Sequence, residues 1–126
     1  MGVLLRASAV VSLTWAVLLL AGKARVFPAG ELSPLVAALA NGLGSAHLVF
    51  AGMFWYAARQ PAAHRGIIYG AILLQALKMS NDVYEMLALL PPESAMVSLG
   101  DLVVSIGLLV GLLEALPRTF GVARSA

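Results

Sequence analysis

The chain is 126 residues long with a formal net charge of +2, and its basic residues are spread rather than clustered, which gives no support to nucleic-acid binding. Hydrophobic residues make up 61% of the chain and charged residues only 11%, whereas a typical soluble domain is roughly 25% charged. A soluble protein of this size cannot bury so much apolar surface, so we expect an integral membrane protein in contact with the lipid bilayer.

Four apolar runs follow one another along the chain, each long enough to cross a hydrocarbon core of roughly 30 Å. They occupy residues 3–22, 34–58, 66–90 and 94–116. Ser33 followed by Pro34 is typical of a helix start, and Pro91, Pro92 and Pro117 predict the ends of the third and fourth helices. The sequence therefore predicts an all-α fold, in which the four helices form an up-down-up-down bundle. The 126 residues are expected to form a single transmembrane domain.

The first apolar run has two interpretations. As a signal peptide it would have Arg6 in its basic start and Gly22-Lys23-Ala24 as its cleavage site. A lysine beside the cleavage position is unfavourable, and the apolar core is long for a signal peptide. We therefore expect this segment to be retained as the first span.

The basic residues predict the orientation of the bundle. With four spans, both termini and the second connection lie on one side of the membrane. That side carries five arginines, namely Arg6, Arg59, Arg65, Arg118 and Arg124. The other side carries only Lys23 and Arg25. Because cytoplasmic loops are enriched in Lys and Arg, we expect a multi-pass protein of the bacterial inner membrane with cytoplasmic N- and C-termini.

A stripe of polar side chains lies inside the third predicted span. Gln75, Lys78, Asp82 and Glu85 recur at spacings of three and four residues, which places them on one face of a helix. An ionisable side chain costs about 2.5–3.5 kcal/mol at the bilayer centre, so such groups rarely face lipid. The stripe is therefore predicted to face the interior of the bundle.

Helix geometry places polar residues of three spans at a similar depth. At about 1.5 Å per residue, Lys78 lies near the middle of the membrane and His47 lies level with it. Asn41, Asp82 and Asp101 belong to the outer half. These five side chains are expected to converge on one layer.

Two interpretations of this layer remain open. In the first it is an internal ion-pair network, in which Lys78 and Asp82 satisfy each other along one helix. In the second it is a ligand- or ion-binding site in an outward-opening polar cavity. Its candidate residues are Asn41, His47, Gln75, Lys78, Asp82, Glu85 and Asp101. If all are ionised, the charged members sum to about −2, so water enters, a cation binds, or one carboxyl is protonated. Trp15, also mid-span, is assigned a packing role.

No cofactor and no metal site are predicted. The chain has no cysteine and no sequence motif of a nucleotide-binding or zinc-dependent enzyme. Its two histidines, His47 and His64, belong to different depths. A haem or chlorin bound through His47 is compatible with a mid-span histidine, although there is no second membrane histidine for bis-histidine ligation.

Two GxxxG patterns allow close helix approach. They contain Gly66, Gly70, Gly107 and Gly111. Gly66 and Gly70 point about 140–180° away from Gln75, so they face outward if the polar stripe faces inward. We expect this outward face to support a homodimer or docking on a larger membrane complex. The two glycines of the fourth span are suited to either internal or external packing.

The junction Ala-Ala-Arg-Gln-Pro-Ala-Ala-His-Arg at residues 57–65, together with Asp101 early in the last span, resembles small bacterial four-helix membrane proteins of the DoxX-like kind. The similarity covers the organisation of the whole chain. Because such families share no single activity, the resemblance implies the four-helix membrane fold rather than a particular function.

Three classes of function are consistent with these features. We rank first an accessory or assembly subunit that docks on a larger membrane complex, and second a protein that binds or transports a proton, a cation or a small amphiphile. The third is an intramembrane enzyme acting on a lipid-soluble substrate by acid–base chemistry. Its catalytic candidates are Asp82 or Glu85 as base, Asp101 as acid and His47 or Asn41 as an orienting donor.

Overall fold

The computed structural model describes residues 1–21, 33–88 and 92–121, with the backbone alone described for residues 85, 88 and 92–98. Within this part of the chain the protein is all-helical, as predicted, with four α-helices and one short 3-10 helix. The α-helices are α1 (Gly2–Ala21), α2 (Pro34–Ala57), α3 (Arg65–Ala88) and α4 (Pro92–Phe120), and the 3-10 helix is Pro61–Ala63.

Helix α2 begins where the sequence predicts. Ser33 has an extended backbone (φ −64°, ψ 156°), and its Oγ accepts a hydrogen bond from the Val36 N–H at 3.2 Å. Pro34 occupies the first turn, where its missing N–H removes no intrahelical hydrogen bond. The predicted cap is thus confirmed, and such a cap contributes about 1 kcal/mol to helix stability.

Helix α4 differs from the prediction at both ends. It begins at Pro92 and continues through Pro117 to Phe120, whereas the sequence predicts residues 94–116. Proline is acceptable at the first position of a helix, and near the last turn it removes only one backbone hydrogen bond. The Arg65 guanidinium carbon lies 4.6 Å from the centre of the Phe120 ring, a contact that holds the last turn against α3. The predicted helix end at Pro117 is therefore wrong.

The starts of α1, α2 and α3 and the end of α2 differ from the predicted ones by at most one residue. Some predictions concern residues outside the described part of the chain. These are the end of the first span with its cleavage site (residues 22–24), the end of the third span (residues 89–91), and the basic residues Lys23, Arg25 and Arg124.

Among the described residues, three helices are long and apolar enough to cross a membrane, namely α1, α2 and the Leu99–Phe120 part of α4. Helix α3 has 24 residues but is not among them, because Lys78, Asp82 and neighbouring polar residues lower its hydropathy. Large apolar side chains are exposed on the described surface, with Leu87 at 83% and Val3 at 78% exposure. This surface suits lipid rather than water, so the helices have the character of a membrane protein.

The helices associate chiefly as two pairs, α1 with α2 and α3 with α4. Close approach of α1 and α2 depends on Gly44, where an added Cβ would lie 2.8 Å from Cγ of Leu20. At the other end of the same pair, a Cβ on Gly2 would lie 3.0 Å from the carbonyl oxygen of Ala58. A side chain at either glycine therefore requires the two helices to separate or their neighbours to move.

One fully buried apolar side chain from each helix forms the centre of the core. These four side chains, called the apolar layer below, are Leu5, Phe54, Ile68 and Leu112. Met1 and Phe120 pack against the same cluster, so the layer lies at the end of the bundle near the N-terminus and the α2–α3 connection.

Candidate functional site

An ion pair joins two helices in the other half of the molecule. Nζ of Lys78 on α3 lies 2.9 Å from Oδ1 of Asp101 on α4, and the two side chains are 13% and 11% exposed. Each charge is therefore largely withdrawn from the surface and is neutralised by the other. The ion pair of Lys78 crosses between helices, whereas the sequence suggested Asp82, one turn away on α3, as its partner.

Trp15 of α1 takes part in the same contact. Its indole N–H donates to Oδ1 of Asp101 at 3.1 Å, and Nζ of Lys78 lies 5.5 Å from the centre of the indole ring. The carboxylate oxygen thus accepts from two donors, and the ring face attracts the ammonium group. The assignment of Trp15 to packing alone is wrong. A buried indole N–H normally finds an acceptor, and Trp15 has the same predicted depth as Lys78, so these two signals together point to the contact.

His47 is the polar side chain of α2 that helix geometry predicts at the depth of Lys78. It is half-buried, and its ring meets Phe50 edge-on at 6.5 Å. Its Nδ1 is buried and has no hydrogen-bond partner among the described residues. Nδ1 is therefore able to bind a donor that the described part of the protein does not supply.

Three helices each place one polar side chain in this contact, and helix geometry predicts His47 of α2 at the same depth. We call this group the polar cluster, and its members are Trp15, His47, Lys78 and Asp101. It combines a carboxylate, an ammonium group, an imidazole and an indole N–H. Such a set is able to accept a proton or to hold a small cation beside the carboxylate.

A second set of buried polar side chains lies one helical turn nearer the apolar layer. This lower polar layer consists of Ser12, Gln75 and Ser105, which are at most 2% exposed. Ser105 follows Asp101 by four residues, and Gln75 precedes Lys78 by three, so both lie about 4.5–6 Å from the ion pair along their helices. Gln75 Oε1 and Ser105 Oγ have no hydrogen-bond partner within the described residues.

The remaining predicted site residues lie at several places. Asp82 is buried at 6% exposure, and Asn41 is exposed, and each of them makes polar interactions of its own. The side chain of Glu85 lies outside the described part of the structure. The structure thus brings Lys78 and Asp101 together, and it turns Asp82 toward the interior of the bundle.

The four glycines differ in their surroundings. Gly66, Gly70 and Gly107 are exposed, and an added Cβ at any of them would meet nothing within 4 Å. At Gly111, by contrast, a Cβ would lie 2.9 Å from Cδ2 of Leu4, so this glycine allows α4 to approach α1 inside the bundle. The outward direction of Gly66 and Gly70 agrees with the inward direction of Gln75.

An apolar groove lies between α1 and α2 on the outside of the bundle. Its volume is about 250 Å³, and it is lined by Ala9, Val10, Leu13, Leu48, Ala51, Gly52 and Trp55. The lining contains none of the predicted polar site residues. A polar cavity that opens outward therefore stays a prediction.

In the described part of the chain, no group of three or more His, Asp or Glu side chains is placed to hold a metal ion. Fold and site together define a small helical protein with a membrane-type surface and an internal polar cluster. No protein-family model matches the chain, and no curated protein or solved structure matches it significantly.

Proposed function

We propose that the chain is a four-span protein of the bacterial inner membrane, folded as an up-down-up-down bundle. Contacts at two levels support opposite directions for α3 and α4, because Lys78 meets Asp101 early in α4 and Arg65 covers Phe120 at its end. The contacts at the two ends of the α1–α2 pair support the same relation there. This is also the fold that the resemblance to DoxX-like proteins implies.

The outer face of α3 supports its role as a span despite its low hydropathy. Its polar residues Gln75 and Asp82 are buried inside the bundle. Its exposed large side chains are Tyr69, Leu73, Leu77, Val83, Tyr84 and Leu87. A helix of this kind crosses a membrane when its neighbours shield its polar side, because lipid then meets mostly apolar side chains.

The described arginines support cytoplasmic termini. Arg6, Arg59, Arg65 and Arg118 all lie on helix segments or connections at the apolar-layer end of the bundle. Since Lys and Arg are enriched on the cytoplasmic side, this end faces the cytoplasm in our proposal. The polar cluster then lies in the middle to outer part of the membrane.

The function that we propose is binding of a proton or a small cation at the polar cluster. Asp101 is the acceptor, and Lys78 is the internal counter-ion that the bound species displaces or replaces. The observation that carries the proposal is the largely buried Lys78–Asp101 ion pair between α3 and α4, to which Trp15 of a third helix donates a hydrogen bond. Apolar side chains of similar size commonly give equal or greater stability than a buried ion pair, so stability alone does not account for the pair.

Trp15 provides a direct test because it contacts Asp101. The chain has two tryptophans, and in the Trp55→Phe variant the emission of Trp15 alone is recorded. We expect a saturable change in this emission when the purified protein in lipid nanodiscs is titrated from about pH 9 to about pH 4, or with ammonium chloride at fixed pH. Loss of the Trp15–Asp101 hydrogen bond on binding produces the change.

The control for this titration is on the same helix. Asp101→Asn is expected to abolish the saturable change, whereas Glu114→Gln, which alters an exposed carboxyl of α4, is expected to leave it intact. An emission that responds to neither titrant, or that responds equally in both variants, contradicts binding at Asp101.

A second candidate function is an accessory or assembly subunit, alone or as a homodimer, that docks through α3. The observation favouring it is the open surface at Gly66 and Gly70, where a neighbouring helix has room to approach. Chemical crosslinking in native membranes, followed by mass spectrometry, tests it. We expect a crosslinked product that Gly70→Leu removes and that Gly42→Leu, at an equally open site on α2, preserves. Detection of monomers alone contradicts this candidate.

A further inference from the structure

Two oxygen atoms of the lower polar layer, Gln75 Oε1 and Ser105 Oγ, are buried and have no hydrogen-bond partner among the described residues. The same is true of Oγ of Ser8, which lies about one turn from Ser12 toward the N-terminal end of α1. A buried polar atom without a partner costs about 1–3 kcal/mol. In folded proteins such atoms are usually satisfied by internal water, which needs two to four polar partners.

The buried polar side chains are bounded by the apolar layer on one side. The Lys78–Asp101 pair keeps about a tenth of its surface and Asp82, one turn beyond it, is 6% exposed, whereas Gln75 and Ser105 one turn below the pair keep almost none. Below Ser8, the apolar layer fills the interior with one large side chain from each helix. The polar interior is therefore closed on the apolar-layer side, so access to it is from the side of the ion pair.

We propose that the lower polar layer is a hydrated site for water-sized hydrogen-bonding species, reached only from the outer side of the membrane past the Lys78–Asp101 pair. The inference rests on the proposed function and deepens it. The ligand of the polar cluster is then no larger than water, such as a proton carried on water. It enters from the outer side of the membrane. Water at this site accepts from or donates to the Ser105 hydroxyl and donates to the Gln75 carbonyl oxygen.

The absence of native cysteine makes this site accessible to a direct experiment. Ser105→Cys is a nearly isosteric change in the lower polar layer. Ala71→Cys is the matched control, because Ala71 is equally buried but belongs to the apolar cluster. His64→Cys, in the connection between α2 and α3, reports the side that faces the cytoplasm.

The probe is Ag⁺, a membrane-impermeant cation small enough to follow water. It is applied to right-side-out spheroplasts and to inverted membrane vesicles that contain the full chain. Modification is read as lost labelling by a fluorescent maleimide after unfolding in detergent. Thiols react as thiolates, which form poorly in a dry apolar environment, so we expect Ser105→Cys to react at least about tenfold faster than Ala71→Cys.

The expected pattern is reaction of Ser105→Cys from the outer side only, reaction of His64→Cys from the cytoplasmic side only, and reaction of Ala71→Cys at least about tenfold more slowly from either side. Ser105→Cys that is unreactive from both sides, or that reacts from the cytoplasmic side, overturns the inference. Native-like Trp15 emission establishes that each variant is folded. If Ser105→Cys is unreactive while Asp101-dependent proton binding persists, the hydrated site fails and the proposed function stands. If the thiol reacts and the Trp15 titration is lost, the proposed function fails alone.

Discussion

Removing one charge of the Lys78–Asp101 ion pair is expected to destabilise the protein more than removing both charges together. Lys78→Met leaves the Asp101 carboxylate with Trp15 as its remaining donor in the contact described here. Loss of one partner of a buried ion pair destabilises a protein by about 3–5 kcal/mol. Because the two side chains keep 13% and 11% exposure, we expect the lower part of this range, about 3 kcal/mol. Asp101→Leu leaves the ammonium group alone and is expected to have a similar effect.

The double variant Lys78→Met/Asp101→Leu carries no charge at the contact and is expected to lose only about 1–2 kcal/mol, because the part-buried Trp15 N–H is left without its acceptor. Independent single effects would instead add to a loss of about 6 kcal/mol. The free energy of unfolding is measured by titrating the protein with SDS in lipid–detergent micelles and following its circular dichroism. Glu114→Gln serves as a charge-removing control on the exposed side of α4. Additivity of the single effects within about 0.5 kcal/mol would refute the ion pair.

Three further predictions concern single contacts and use the same unfolding assay. Trp15→Phe removes the indole donor to Asp101 and is expected to lower the free energy of unfolding by about 1.5–3 kcal/mol. Trp55→Phe, at an exposed ring, is expected to have little effect. Equal effects of the two variants would contradict the hydrogen bond. Gly44→Ala forces a methyl group against α1 and is expected to destabilise the protein by about 1–3 kcal/mol. Gly42→Ala, in open space, is expected to leave the stability unchanged or to raise it by up to about 1 kcal/mol. The opposite order of the two effects would contradict the close α1–α2 contact. Ser33→Ala removes the cap of α2 and is expected to lower stability by about 1 kcal/mol, and an unchanged stability would mean that the cap hydrogen bond contributes nothing.

The helices were accessible from the sequence because their signals are local. A long apolar run has few alternatives to a helix, and the Ser33-Pro34 pair marks a helix start wherever it precedes such a run. Pro117 was misleading because proline near a helix end removes only one hydrogen bond, and packing of Phe120 against Arg65 decides whether the helix continues. That packing involves residues more than fifty positions apart, which no local pattern encodes.

The site was accessible in part. Helix periodicity correctly turns Gln75 and Asp82 inward, and depth alone places Lys78 near the level of Asp101 and His47. Which carboxylate pairs with Lys78 depends on the rotation of α3 and α4 about their own axes. The helix spacing that favours Asp82 carries no information about that rotation. Trp15 was missed for a related reason, since its donor role exists only when α1 is rotated toward α4.

Solid-state NMR in lipid bilayers tests the Lys78–Asp101 ion pair directly. The chain contains two lysines and two aspartates. In the Lys23→Gln variant, Lys78 is the only lysine, and its Nζ is labelled with ¹⁵N. Both aspartate carboxyls are labelled with ¹³C. We expect dipolar coupling between the two labels, because Nζ of Lys78 lies 2.9 Å from Oδ1 of Asp101, and we expect its loss in Asp101→Asn. Absence of coupling, or coupling that persists in Asp101→Asn, would contradict the ion pair on which the proposed site depends.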